Sequence, residues 1–309
     1  MNRALKGLEE VRQALASDTP VVALESTVIA HGFPHPENLR VARALHESVR
    51  GTGAIPAMIA IVAGEVLVGL DDDAIETIAG SKVVRKCGVA DVAAVCAAGG
   101  HGATTVSASI VLAVEAGIEV FATGGLGGVH RRQGALGDRA QDISADLLTL
   151  SRTPIAVVGS GAKMLLDLPA TVEALESLGV PVYGFETDHF PAFYASSSGI
   201  PLRHAFEDVA ALAGAVRRQR ALGLRSGVLV CNPPPDDVAL SSGELERWVD
   251  EALESAAREG IVGSDVTPYV LKALHDLSGG RTVDCNKALA ASNAALAGRL
   301  AAALIAHQG

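Results

Sequence analysis

Four places in the sequence put reactive side chains where a folded chain could use them. The first is "TPIAVVGSGAKMLLDLP", residues 153–169, in which Lys163 stands between small residues and an apolar run. A charged ammonium is rarely left where water is scarce. Two readings are open for it: a side chain that snorkels to the surface from a helix start, or an amine reserved for imine chemistry. "SGAKMLLDLP" reads as a helix start, where the positive end of the dipole disfavours a cation and favours the neutral nucleophile. The second place is Glu25, which closes "VVALE". It is either a turn or helix cap, or a partly buried carboxylic acid able to give up a proton.

The third place is "DISADL", with Asp142 and Asp146 four residues apart, predicted on one face of a helix start. Either they complement the dipole, or a carboxylate there holds a hard divalent cation together with several waters. No cluster of His and Cys has the spacing of a zinc site. The fourth is "ATGGLGGVHRR", where Gly124, Gly125, Gly127 and Gly128 follow an apolar run and His130, Arg131 and Arg132 add cationic capacity. Such a loop lets backbone approach a ligand, and its amides with His130 are candidates to cradle a phosphate. It has neither Walker A spacing nor a GxGxxG with its downstream acid.

These residues need elements to hold them. "PVVALES" (20–26) reads as a buried strand, and "PENLRVARALHESVRGTG" (36–53) as a helix opened by Pro and closed by Gly. "AMIAIVAGEVLVGL" (57–70) predicts two strands turning at Ala63-Gly64, followed by an acidic-nosed helix in "DDDAIETIAG" (71–80). Helix and strand then alternate through "ATTVSASIVLAVEAG", "IEVFATGG", "SADLLTLSRT", "PIAVVGSG", "LPATVEALESLG" and "VPVYGFET". That order predicts an α/β fold, three layers α/β/α around a largely parallel sheet, with ligands in the crevice beyond the strands' carboxyl ends. Glu25, Lys86, Thr123, Lys163 and Thr187-Asp188 all fall at or beside such ends. The chain reads as a single domain over 1–309, with an amphipathic N-terminal helix over 1–18 and a helical C-terminal portion from about 205 to 309. That last portion has long helices flanking the strand "GVLVCNPPP", then two more at about 265–278 and 286–306.

Composition narrows the function classes. A chain of 309 residues, 49% hydrophobic, can bury a full core. A formal charge of −10 with no polybasic block argues against nucleic acid or an anionic membrane surface as partner. Cys87, Cys96, Cys231 and Cys285 are scattered without CxxC spacing, as reduced thiols in a cytoplasmic protein would be. The N-terminus has acids and no secretory apolar core, and no membrane span is predicted.

Six ordered stretches, "VVALESTVIAHGFPHPEN", "GATTVSASI", "FATGGLGGVHR", "DISADLLTLSRTPIAVVGSGAKMLLDL", "TDHFPAFY" and "DVTPYVL", resemble the pseudouridine-5′-phosphate glycosidases, a group that includes indigoidine-biosynthesis protein A. The resemblance runs over about residues 5 to 305. It implies a cytoplasmic α/β/α enzyme, a homotrimer using Mn²⁺, that interconverts pseudouridine 5′-phosphate plus water with uracil and ribose 5-phosphate. By the same resemblance Lys163 is the nucleophile, Glu25 the proton donor and Asp142 the metal ligand. Lys86, Val106, Ser144, Ala145 and Asp146 match substrate-contacting positions, as do Thr123, His130 and Asn286.

The sequence departs from that pattern in three places. "KCGVAD" (86–91) lacks two arginines that the family often carries, for which Arg131 and Arg132 are the candidate replacements. The segment between His130 and Asp142 is longer, and Ser292 stands for the first Asn of a terminal pair in "NKALAASN". Two other readings are a sugar or nucleoside kinase, which lacks a catalytic Asp in a G-x-G-D setting here, and a non-catalytic sugar-phosphate-binding protein, which would have no need of Lys163 and Glu25.

Overall fold

The computed structural model describes residues 2, 4–81, 83–131, 142–261 and 266–306. Apolar, β-branched runs give the buried strands β2 (Val21–Glu25), β7 (Val120–Ala122), β8 (Ala156–Gly159) and β11 (Val228–Cys231). Buried on both faces, they read as continuous apolar stretches rather than alternating ones. The expected hairpin forms from β3 (Ile55–Val62) and β4 (Glu65–Val68), turning through Ala63 and Gly64, both at positive φ. The remaining strands are β1 (Leu5–Gly7), β5 (Arg85–Cys87), β6 (Gly102–Thr104), β9 (Val182–Phe185) and β10 (Ala205–Phe206).

They join in one sheet, ordered β1-β4-β3-β2-β7-β8-β11-β9-β10, with β6 on β3 and β5 on β6. All pairings are parallel except β3–β4 and β3–β6. Helices cover both sides, so the three-layer, largely parallel architecture is as the sequence predicts. The helices are α1 (Glu9–Ala16), α2 (Thr27–His31), α3 (Glu37–Arg50), α4 (Asp72–Gly80), α5 (Val92–Ala97), α6 (Val106–Ala116), α7 (Ala145–Leu150), α8 (Leu168–Ser177), α9 (Val209–Ala221), α10 (Ser242–Arg258), α11 (Val266–Leu277) and α12 (Arg281–Ile305). Of the helices, α12 is long and apolar enough to cross a membrane, but it packs against α3, α9, β7 and β8 as a core helix.

Three expectations are corrected. The N-terminal helix does not span 1–18: Leu5–Gly7 pairs with β4, Leu8 N–H donates to the Val68 carbonyl, and only Glu9–Ala16 is helical. An otherwise unpaired edge of β4 takes these residues as a strand, overriding their helical pattern. The C-terminal third is helical and supplies the expected strand, β11, between β8 and β9, with the short β10 added beyond β9. Residues 160–167 are a loop, not a helix start, because the N-cap is Asp167, whose carboxylate accepts the Ala170 N–H at 3.0 Å, with Pro169 in the first turn. The dipole argument for Lys163 therefore lapses. Likewise Ser144 caps α7, so Asp142 precedes the helix and does not share a face with Asp146. Arg132, the longer segment 132–141 and Asp265 lie outside the described residues.

Candidate active site

Glu25 is the last residue of β2, and Thr123 follows β7, its direct neighbour in the sheet. The parallel register therefore brings their side chains together, and the Thr123 hydroxyl donates to Glu25 Oε1 at 2.5 Å. Around them lie Leu24, Val28, Leu45 and Ala122, which leave the carboxyl little water. Burial pushes the Glu25 carboxyl above its ordinary range; the Lys163 ammonium, the Thr123 hydroxyl and Lys86 pull against that, and Asp146 adds to it. The net effect is upward, towards an acid that keeps its proton.

Lys163 is positioned by pairing that outlasts the strands. Beyond β7 and β8 the loops add one more rung: Leu126 N–H donates to the Gly161 carbonyl at 3.0 Å, and Lys163 N–H to the Leu126 carbonyl at 3.1 Å. Gly161 sits at φ +71°, and a side chain there would run into the Pro191 carbonyl. Arg131 then clamps the segment after the lysine, donating to the Met164 carbonyl at 3.2 Å and the Leu166 carbonyl at 3.3 Å while pairing with Asp250 at 3.0 Å. Its guanidinium is thus committed to holding this loop, which removes Arg131 as a replacement phosphate ligand.

The glycine-rich loop also has a different role from the one its composition suggests. Leu126 N–H and Gly127 N–H are spent on the Gly161 carbonyl and on Asp146 Oδ2, and Val129 N–H on Thr171 Oγ1. Side chains press where Cβ atoms would stand: Phe193 on Gly124 and Gly125, Ser144 on Gly127, Thr171 on Gly128. The glycines are there for close packing, leaving Gly124, Gly125 and Gly128 as the amides that could meet an anion. Phe193 itself holds φ +62°, an uncommon conformation for a bulky residue, fixed by its N–H bond to the Ser160 carbonyl.

Asp146 is buried and ties two elements together. Its Oδ1 accepts from Ser107 N–H and its Oδ2 from Gly127 N–H, both at 2.9 Å, which joins the first turn of α6 to the glycine loop. Val106, next to Ser107, has its side chain in the core, and Ala145 carries only a methyl, so the polar groups either can present are those of its backbone. Ser144 accepts from Asp146 N–H and donates its own N–H to the Gly128 carbonyl. His130 N–H donates to the Asp142 carbonyl at 2.9 Å, placing the histidine beside that exposed acid. Burial lowers the His130 pKa against Asp142, helped by Lys163 and Lys86, so at neutral pH the ring is a hydrogen-bonding group rather than a cation. Lys86, on β5, is exposed and acts electrostatically on Glu25, His130 and His31. Asn286, on α12, faces Gly124. The fold thus gathers Glu25, Lys86, Thr123, His130, Asp142, Asp146 and Lys163 around the ends of β2, β5, β7 and β8, while Thr187 and Asp188 follow β9.

Sequence reasoning missed a buried carboxamide among them. Asn293, on α12, is fully buried, and its Nδ2 donates to the Thr123 carbonyl at 2.9 Å and to Ser160 Oγ at 3.1 Å. Its Oδ1 accepts from Asn232 Nδ2 at 2.9 Å, and Asn232 also donates to Ser292 Oγ at 3.0 Å. The signal was present: an asparagine inside an otherwise apolar helical run has to find partners.

For a divalent cation, the described residues hold no group of three His, Cys, Asp or Glu. Asp142 offers one exposed carboxylate, a hard donor that suits Mg²⁺ or Mn²⁺ in a shell made mostly of water and does not suit zinc.

The family described as indigoidine synthase A like protein matches residues 10–303. A pseudouridine-5′-phosphate glycosidase of Methylobacterium nodulans is 48% identical over 295 residues, 96% of this chain and 86% of the relative. One of Caldanaerobacter subterraneus is 45% identical, covering 98% of each chain. Among solved structures, the prealnumycin C-glycosynthase AlnA in complex with ribulose 5-phosphate superposes with a TM-score of 0.91 at 40% identity, covering 100% of this chain and 99% of that one. An indigoidine synthase A-like protein of Thermotoga maritima gives 0.87 at 34%, covering 97% and 96%.

Proposed function

The chain belongs to the indigoidine synthase A-like family, and from that premise we propose that it is an enzyme cleaving the carbon–carbon glycosidic bond of pseudouridine 5′-phosphate, giving uracil and ribose 5-phosphate. The observation that carries the reading is a partly buried Glu25 carboxyl, its pKa raised by burial and its Oε1 bonded by the Thr123 hydroxyl, within electrostatic reach of Lys163 at the strand ends. Relatives bearing the glycosidase name over nearly the whole length, and a C-glycosynthase of the same fold, support the substrate class.

A carbon-linked base is a poor leaving group, so two carboxylates acting as in ordinary glycosidases would be insufficient. Here Glu25 gives its proton to the ribose ring oxygen as the bond from that oxygen to the anomeric carbon opens. The neutral amine of Lys163 then adds to that carbon. The adduct nitrogen gives up a proton to the Glu25 carboxylate, and the lone pair so freed forms the carbon–nitrogen double bond as the bond to the base breaks, the released uracil carbon taking up a proton. Water hydrolyses the iminium, returning the amine and releasing the open-chain sugar. Covalent catalysis divides one difficult step into easier ones. Run backwards, the same groups join base and sugar.

Asp142 would hold Mn²⁺ through a largely aqueous shell, and a cation bound there supplies Lewis-acid polarisation of a substrate oxygen. Lys86 is the cation placed to meet the 5′-phosphate, with the Gly124, Gly125 and Gly128 amides and a neutral His130 completing the cradle. Ser144, Ala145, Asp146, Thr123, Val106 and Asn286 shape the pocket. The four unpaired cysteines suit a cytoplasmic setting, and a homotrimer is the assembly proposed. The test is direct: protein with uracil, ribose 5-phosphate and Mn²⁺ should form pseudouridine 5′-phosphate, and its absence in both reaction directions would overturn the reading.

A further inference from the structure

Asn293 stands where four chain segments meet. Its amide is orientated by partners that cannot be exchanged. The Thr123 carbonyl only accepts, so Nδ2 has to face it, and Oδ1 is left to receive Asn232 Nδ2 at 2.9 Å. The second Nδ2 hydrogen reaches Ser160 Oγ, with the Gly124 carbonyl at 3.4 Å as a weaker neighbour. One side chain therefore spans the carboxyl ends of β7, β8 and β11. Each end has a function attached: Thr123 is the residue whose hydroxyl meets Glu25, Ser160 opens the short loop to Lys163, and Asn232 follows β11.

We propose that Asn293 is a positioning residue for the reaction, its carboxamide holding Thr123 and Ser160 in fixed register so that the proton donor Glu25 meets the ring oxygen while the nucleophile Lys163 meets the anomeric carbon bonded to it. The inference rests on the roles proposed for Glu25 and Lys163. It goes beyond them by making the relative placement of the two groups depend on one residue of α12, which touches neither. Hydrophobic burial of α12 does not set that placement, because apolar contacts are non-directional, whereas two donated bonds and one accepted bond fix position and rotation. Ser292 extends the same control: its hydroxyl takes the other hydrogen of Asn232 Nδ2, so the carboxamide that orientates Asn293 is itself orientated.

The test is Asn293→Asp, which keeps the shape but turns a donor to the Thr123 carbonyl into an acceptor. A displacement on the order of an ångström at reacting groups costs about 100-fold in rate. The expected result is a kcat lowered roughly 30- to 100-fold with KM within about threefold of wild type. The Thr123 hydrogen bond holds the Glu25 pKa down, so loosening it raises that pKa. The limb on which kcat falls with rising pH should then move to higher pH, with Lys163, Lys86 and Asp146 still facing Glu25. The introduced carboxylate would itself raise the Glu25 pKa, so the limb shift is decided in Ser160→Ala, which adds no charge; a purely structural role would lower the melting temperature and leave the limb of that variant in place. Ser160→Ala, which removes a single bond, is the milder variant and should show the same limb shift with a smaller loss of rate should Asn293→Asp fail to fold. A folded Asn293→Asp or Ser160→Ala enzyme with wild-type kcat and limb overturns the proposal. Glu25→Gln, measured alongside, separates the two levels: if it matches wild type, the donor role itself fails, and if it is impaired while Asn293→Asp is not, only the role of Asn293 fails.

Discussion

At the scale of the residue, the proposed site rests on the Glu25 carboxyl, its pKa raised by burial, and on the Lys163 amine that acts on it electrostatically. Burial raises the Glu25 pKa, so the acid form persists above the pH at which an exposed glutamate ionises, and activity should decline as pH rises through the raised value. Glu25→Gln keeps the Thr123 contact but cannot release a proton, and kcat should fall by roughly 10²- to 10⁴-fold, as steady-state rates on pseudouridine 5′-phosphate will show. Thr123→Val removes a contact that stabilises the carboxylate, so the basic limb of the kcat profile should move upward; a shift downward would contradict the assignment of that hydrogen bond. Glu25 and Lys163 stood out in the sequence because one closes the apolar strand β2 and the other follows the apolar strand β8 after a short loop. The reason given for Lys163 was not borne out: no helix begins there, and it is the extra rung with Leu126 that holds it.

At the scale of the element, loops that continue the sheet's pairing do the positioning, and they are assembled from small residues. Gly128→Ala would force a Cβ into Thr171, whose hydroxyl receives the Val129 N–H, and should cost about 1–3 kcal/mol in a denaturation experiment. Asp167→Ala removes the cap of α8 and should cost about 1 kcal/mol, measurable in the same way. The strands and most helices could be read from apolar runs and flanking Gly and Pro, as with β3, β4 and α4. The misreadings share a cause: residues 5–7, 142 and 160–167 have a local pattern compatible with helix, and tertiary demands decide otherwise. An unpaired strand edge claims Leu5–Gly7, while Ser144 and Asp167 cap later than the acids and lysine suggested. For the glycine loop, composition reveals tight approach but not that protein side chains pack on all four glycines and that the Gly127 amide is spent on Asp146.

At the scale of the whole molecule, a single sheet and the helix packed on it bring residues from positions 25 to 293 to one rim, where Glu25, Lys163, Lys86 and Asp142 adjoin. Removing divalent ions with a chelator should abolish turnover and added Mn²⁺ should restore it, whereas Asp142→Ala should raise the Mn²⁺ concentration needed for half-maximal rate. The central claim is that Lys163 forms the covalent link to the sugar. Reduction with borohydride during turnover, followed by peptide mass analysis, should find ribose 5-phosphate attached to the peptide carrying Lys163 and to no other, with no adduct in Lys163→Ala. An adduct undiminished in that variant, or one on a different lysine, would contradict the account.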